Sequence, residues 1–164
     1  MPIPQLMHKN SVVVLWCTNA SQHHKAIQEE FLPKWNLQLV HKLKWFKINT
    51  VGELISTPKP DGFKQPYEMI YIACSKENDI LNFNGITKVD FLISIPSIIH
   101  SHKPPLTDWL KTFLPNNTNF KGLEIFARYL QPQFTSIGLE VLKLMDIRLY
   151  NMKQKSEEIS KEGS

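Results

Sequence analysis

Glu124 and Arg128 bracket the apolar run Ile125-Phe126-Ala127, and Arg128 opens the turn Tyr129-Leu130-Gln131-Pro132. A short apolar run reads as a buried strand, and in an open α/β sheet a ligand sits beyond the carboxyl end of such a strand. Two readings of these charges stand. They form an ion pair or solvated loop charges, or the planar fork of Arg128 grips a ligand carboxylate or hydroxyls through paired hydrogen bonds. A second cationic candidate is Lys103, in His100-Ser101-His102-Lys103-Pro104-Pro105-Leu106. It either reaches an anionic ligand group or is a surface lysine at a helix entry, where Pro105 suits the first turn. Tyr67-Glu68, closing a stretch rich in Pro and Gly, is the candidate substrate edge.

Other constellations carry less chemistry. His23-His24 are adjacent on a helical pattern, and neighbouring positions face different ways, which argues against a shared metal. Cys17 and Cys74 sit far apart inside apolar runs and read as buried reduced thiols. Trp16, Trp35, Trp45 and Trp109 each lie in an apolar pattern, which favours core packing over base stacking. The chain has no phosphate-binding glycine loop, no Gly-x-Ser-x-Gly elbow and no zinc-ligand set.

The elements that must position these residues follow from hydrophobic periodicity. Ser11 to Cys17 is a continuous β-branched and aromatic run, the pattern of a strand covered on both faces, and reads as a central parallel strand. Ala26, Ile27, Phe31 and Leu32 fall at helical spacing, with Thr18-Asn19 as a cap and Pro33 in or after the last turn. Leu37 to Ile48 alternates as a long strand with an irregularity expected near Trp45. Asn49 to Pro66 is a loop long enough to be functional or mobile. Glu68 to Cys74 is a strand, Phe91 to Ile95 a further buried strand ended by Pro96, and Leu106, Trp109, Leu110 and Phe113 share one face of a helix. Gly122 to Ala127 is a short buried strand, followed by a turn from Arg128 to Gly138 and an apolar stretch from Val141 to Leu149. The expectation is one α/β domain over 1–150 with a mostly parallel sheet, then a disordered charged tail over 151–164.

A hydrophobic content of 42% over 164 residues suffices for a core, and no window approaches the ~18 apolar residues of a membrane span. The net charge of +4 favours anionic partners such as nucleic acid without specifying one.

Several segments together resemble the methyltransferase-A70 family of adenine N6-methyltransferases over roughly residues 1–150. They are Val14-Leu15-Trp16-Cys17-Thr18-Asn19, Glu29-Glu30-Phe31-Leu32-Pro33-Lys34-Trp35, Trp45-Phe46-Lys47-Ile48, Lys64-Gln65-Pro66-Tyr67-Glu68, His100 through Leu106, and Glu124 through Pro132. The resemblance implies a Rossmann-like class I methyltransferase fold with permuted motif order. It also implies S-adenosylmethionine as cofactor, the N6 amine of adenine in small nuclear RNA or DNA as acceptor, and a nuclear location. By the same resemblance Lys103, Glu124, Phe126, Arg128, Tyr129, Leu130, Gln131, Leu139 and Glu140 are the cofactor residues, with Glu140 near the ribose. Trp16, Tyr67, Glu68 and His102 are the substrate candidates.

The departures from the family pattern matter for activity. Its catalytic Asp-Pro-Pro-Trp is absent: no Asp precedes two prolines, and residues 1–28 contain neither Asp nor Glu. No catalytic residue is therefore assigned, and the chain is expected to be the later part of the domain, incomplete at its N-terminus. In the cofactor turn the family pattern Arg-Asn-Leu-Gln-Pro-Gly-Trp-Thr-Ser-Trp-Gly-Asn-Glu is altered by Tyr129, Gln133, Phe134, Ile137 and Leu139. Leu139 cannot make the hydrogen bonds of an Asn, a loss of ~1–3 kcal/mol at a buried polar contact. The alternative is a non-catalytic RNA-binding or adaptor subunit that pairs with another methyltransferase chain.

Overall fold

The computed structural model describes residues 2–60, 63–78, 91–99, 102–111 and 120–142. The chain divides into two compact units, Met1–Asn119 and Phe120–Ser164. The apolar stretch after Leu142 and the charged tail lie outside the described residues. So does Phe113, the last residue of the expected helix face.

The first unit is mixed α/β. A 3-10 turn (Ile3–Leu6) leads into β1 (Val12–Cys17), followed by α1 (Ser21–Lys25), a π-helical segment (Ala26–Phe31) and α2 (Leu32–Lys34). Then come β2 (Leu37–Lys47), β3 (Tyr67–Ser75), β4 (Phe91–Ser94) and α3 (Thr107–Lys111). The four strands form one sheet in the order β1-β3-β2-β4. β3 runs antiparallel to both β1 and β2, whereas β2 and β4 are parallel.

This corrects the expected mostly parallel sheet and the central place given to β1. Among the described residues β1 is an edge strand, and β3, with Ile70 through Cys74 buried, takes the centre. A continuous apolar run reports that both faces of a strand are covered, not that both edges are paired, and β1 is covered on both faces. Val12, Val14 and Trp16 pack on one hydrophobic cluster, and Val13, Leu15 and Cys17 on the other. β4 is likewise not buried: Phe91 and Ile93 are each 54% exposed, and Ile95 beyond the strand is 56% exposed.

Residues paired directly across strands project to the same face of a sheet. One face carries Cys17, Tyr71, Ala73 and Leu37, and the helical segment closes over it with Ile27 and Leu32. The other carries Ile70, Ile72, Leu43 and Trp45, closed by Leu106 with Trp109 and Leu110 of α3. Leu37 and Leu43 would share a face in a regular strand, since side chains alternate with period two. They do not, because the register slips between Leu39 and His41, which leaves Val40 as an extra residue. The irregularity therefore sits at Val40 rather than near Trp45. It is invisible in the alternation because both faces of β2 bury apolar side chains.

The helical segment has a local cause for its π geometry. Pro33 offers no N–H to the Glu29 carbonyl and its ring would crowd that carbonyl, so a wider turn directly before it is the accommodating conformation. The segment is tied to the sheet by His24, whose Nδ1 lies 2.6 Å from the Tyr71 hydroxyl and 3.7 Å from Cys17 Sγ. Burial first, then the positive charge of Lys42 and the neighbouring His23, lower the His24 pKa. The neutral ring is thus favoured as acceptor for the tyrosine hydroxyl. Cys17 and Cys74 are both buried and unbridged, as expected.

The loop after β2 starts as an ordered turn. Asn49 Oδ1 accepts from the N–H groups of Val51 (3.0 Å) and Glu53 (2.9 Å), and Gly52 supplies the positive φ of 87° that this turn requires. Ile48 and Leu54 then form an isolated bridge. The second unit contains a parallel pair, β5 (Gly122–Ile125) and β6 (Phe134–Ile137). β6 occupies what was expected to be a continuous turn. No helix among the described residues is long and apolar enough to cross a membrane.

Leu43, at 0% exposure, is fully enclosed beside Trp45, Ile70 and Ile72. Leu43→Ala is expected to cost about 2–5 kcal/mol in urea unfolding. Leu39→Ala, on the exposed side of the bulge, is expected to cost under about 1 kcal/mol.

Candidate functional site

β1, β2 and β4 all run in one direction, so their carboxyl ends, Cys17, Lys47 and Ser94, lie at one edge of the first unit. Antiparallel β3 begins at that same edge, with Tyr67 and Glu68. The chain leaving β4 brings Lys103 back to it. Glu68 pairs with two lysines: its Oε1 lies 2.5 Å from Lys47 Nζ, and its Oε2 accepts from Lys103 Nζ. The Glu68 side chain is only 16% exposed and those of Lys47 and Lys103 are 21% and 28% exposed. Burial alone would raise the Glu68 pKa, but the hydrogen bonds and charges of Lys103 and Lys47 outweigh it and hold the carboxyl below its ordinary 4.5. Glu68, Lys47 and Lys103 thus place two ammonium groups and one carboxylate at this edge.

Aromatic walls flank the cluster. Trp16 and Trp45 meet edge to face with ring centroids 5.4 Å apart. Lys103 Nζ stands 5.7 Å from each indole, and Lys47 Nζ is 4.8 Å from the Trp45 ring centre. Trp45, 1% exposed, is a core side chain whose Nε1–H donates to Ser94 Oγ at 2.7 Å. Trp16 is half-buried at the edge strand. This edge thus combines an indole, two cations and a carboxylate, a donor and acceptor set able to seat a planar base beside a charged group.

The expected substrate residues do not all share one surface. Trp16 and Glu68 lie on the face that carries Lys47 and Trp45. Tyr67 lies on the opposite face, where its ring packs 5.2 Å from Phe46, and its carbonyl accepts from Asn19 Nδ2 at 2.5 Å. His102, half-buried, immediately precedes Lys103, and its backbone N–H donates to the Ile99 carbonyl at 3.3 Å. Sequence reasoning missed Lys47 and Trp45 as members of the site. Only the register of β2 on β3 sets Trp45 opposite Glu68.

The second unit gathers the other candidates in the turn beyond β5. The strand ends at Ile125, so Phe126 is not part of it: it is 82% exposed and left-handed, with φ 64°. That conformation is uncommon for a bulky side chain and marks a tightly constrained turn. Gly138 explains the constraint. The Ala127 N–H donates to the Ile137 carbonyl at 2.9 Å, and a Cβ on Gly138 would fall 2.1 Å from the Ala127 carbonyl oxygen.

Around this turn Arg128 pairs with Glu140, both side chains about two-fifths exposed, and Gln131 Nε2 donates to Glu124 Oε2 at 2.9 Å. Burial, then the Glu124 charge, raise the Tyr129 pKa, so its hydroxyl stays protonated. Leu130 is partly exposed and Leu139 fully exposed. Of the two readings of Glu124 and Arg128, each residue is bonded, but to Gln131 and Glu140 rather than to the other. Among the described residues no group of three His, Cys, Asp or Glu side chains could hold a metal ion.

The MT-A70 family model matches residues 1–140. The chain is 36% identical over 154 residues to the N(6)-adenine-specific methyltransferase METTL4 of Homo sapiens, covering 90% of this chain and 32% of that protein. It is 30% identical over 150 residues to a DNA N6-methyl methyltransferase of Caenorhabditis elegans, covering 92% of this chain and 40% of that protein. It is 31% identical over 149 residues to the N6-methyladenosine RNA methyltransferase MTA1 of Pyricularia oryzae, covering 89% and 38% respectively. The chain thus spans well under half the length of each of these relatives.

Replacing Glu68 with Gln leaves two lysines facing each other without their shared anion. Glu68→Gln is expected to lower stability by about 1–3 kcal/mol at pH 7 in urea unfolding. Because the folded-state pKa lies below the unfolded one, the wild-type advantage is full above pH 4.5. It is lost as pH falls through the lower folded value, so the two stability curves should converge in acid.

Proposed function

The chain belongs to the MT-A70 family, and from that premise we propose that it contributes cofactor and acceptor surfaces to an S-adenosylmethionine-dependent adenine N6-methyltransferase. Its fold is read as Rossmann-like class I with permuted motif order. Its acceptor is RNA, small nuclear RNA in particular, or DNA, and its place is the nucleus. The observation that carries this reading is the charged and aromatic edge made by Glu68, Lys47, Lys103 and Trp16 at the carboxyl ends of β1, β2 and β4. Ligands of open α/β sheets bind at such edges.

The donor set of the turn after β5 fits the cofactor. Arg128 and Glu140 are accessible enough to exchange each other for a ligand, with the guanidinium facing a carboxylate and Glu140 accepting from ribose hydroxyls. Gln131 and Glu124 offer a further amide and carboxylate, whereas exposed Leu139 offers nothing polar. When bound, S-adenosylmethionine supplies an electrophilic methyl group. In the first unit, Trp16 offers an indole to a planar base, and Lys103 places a positive charge beside it.

What these 164 residues lack is the Asp-Pro-Pro-Trp that receives the adenine amine in the family. Methyl transfer to a neutral amine needs that acceptor, so the chain by itself is read as inactive. The absent motif, together with Leu139 where the family pattern has Asn, supports the second reading, a non-catalytic RNA-binding or adaptor subunit working with an active methyltransferase chain.

Incubated with methyl-tritiated S-adenosylmethionine and adenine-containing RNA or DNA oligonucleotides, the chain should place no label on adenine N6. Transfer above background would overturn its inactivity. Calorimetric titration with S-adenosylmethionine separates the two readings. Binding weakened at least tenfold by Arg128→Ala supports the cofactor surface, and no binding at all favours the adaptor.

A further inference from the structure

Among the described residues the helical segment packs over one part of its face of the sheet. It packs over Cys17, Tyr71 and Ala73, and its margin is marked by Lys42, whose Nζ donates to Gln28 Oε1 at 2.6 Å. Beyond Lys42 the same face continues across β2 and β4 with Lys44, Phe46, Phe91 and Ile93, and at the start of β3 with Tyr67. Phe91 and Ile93 each leave 54% of their surface in solvent.

The uncovered surface is ordered. Phe46 sits 5.2 Å from the Tyr67 ring centre and 6.3 Å, edge to face, from that of Phe91. Lys44 Nζ stands 5.1 Å over Tyr67, and Lys42 Nζ 5.4 Å over Tyr71. Among the described strand residues that project to this face there is no acidic side chain; Glu68 projects to the other one.

Protein–protein interfaces are enriched in aromatic side chains but depleted in lysine, so the lysines rather than the rings set this face apart from a protein-docking surface. Here three rings, packed against one another at interplanar angles of 55° and 82°, share one face with two ammonium groups. That is the combination that binds single-stranded nucleic acid: π-faces stack on any base, while cations follow the phosphate backbone. We propose that this half-face, Lys44, Phe46, Tyr67, Phe91 and Lys42, is a sequence-tolerant platform for single-stranded RNA or DNA. It lies on the opposite side of the sheet from Glu68 and Trp16. The proposal takes from the preceding reading only the substrate class, and a strand held here is held independently of where its adenine is modified.

Fluorescence anisotropy of the whole chain with labelled oligouridylate tests it, because that ligand contains no adenine and reports nothing on methyl transfer. The chain should bind oligouridylate more tightly than duplex DNA of equal length. Phe91→Ala should weaken binding about tenfold, with Phe91→Trp restoring it. Lys44→Gln should weaken binding and reduce the log-log salt slope by about 0.7. Both positions are exposed, and equal melting temperatures of wild type and variants establish that the fold is kept. Failure of wild type to bind, equal affinity for duplex, or unchanged affinity in both Phe91→Ala and Lys44→Gln would overturn the platform. Self-association abolished by Phe91→Ala without any effect on oligouridylate would reassign the face to a protein partner and would also overturn it. Loss of S-adenosylmethionine binding with oligouridylate binding intact would count against the proposed function alone.

Discussion

One extra residue in β2 decides which side chains meet. Val40 shifts the alternation of the strand by one, so that Leu37 joins the cluster under the helical segment while Leu43 and Trp45 join the cluster under α3. The same shift turns Lys47 toward Glu68 and turns Lys42 and Lys44 toward the opposite face. Without it every side chain from His41 to Lys47 would change sides. Trp45 and Lys47 would then lie on the face opposite Glu68. Both hydrophobic clusters, the charged edge and the cationic half-face depend on that one irregularity.

Glu68 shows how such an edge is held. A carboxylate this buried is disfavoured by desolvation, and it remains ionised because two ammonium groups surround it. Their backbone positions come from distant parts of the chain, the end of β2 and the segment before α3. The pairing joins the end of β2 to the segment before α3 and sets Lys103 beside Trp16. In the second unit the organising contact is steric instead. The close approach of Gly138 to the Ala127 carbonyl and the left-handed Phe126 make a sharp exit from β5, and the polar side chains of Arg128, Gln131 and Glu140 lie around it.

Much of the candidate chemistry was legible in residue order. Arg128 stands out beside an apolar run, Lys103 between a strand and a helix and Glu68 at the end of the long loop, while Glu140 comes from the family resemblance alone; the structure pairs Glu68 with Lys103 and Arg128 with Glu140. Family membership was carried by segments spread along the chain and is established by the match over residues 1–140. The strand directions were less legible. Alternation and apolar runs report which faces of a strand are covered, and they carry no information about the orientation of its neighbours. The apolar run of β1 reads as the centre of a parallel sheet, although among the described residues it pairs antiparallel at an edge.

By itself the sequence determined the residue types available for chemistry, the positions of most strands and the lack of an Asp-Pro-Pro-Trp within these residues. These are local or compositional properties that no packing arrangement alters. The tertiary structure alone decided that Lys47 and Trp45 belong beside Glu68, that Tyr67 faces away from it, and that Phe91 and Lys44 share an open aromatic surface. The physical reason is the period of two in a β-strand. A single bulge exchanges the two faces of everything after it, and because Leu37 before it and Leu43 and Trp45 after it are buried on opposite faces, the odd-numbered alternation runs on unbroken and the exchange leaves no trace in the hydrophobic pattern.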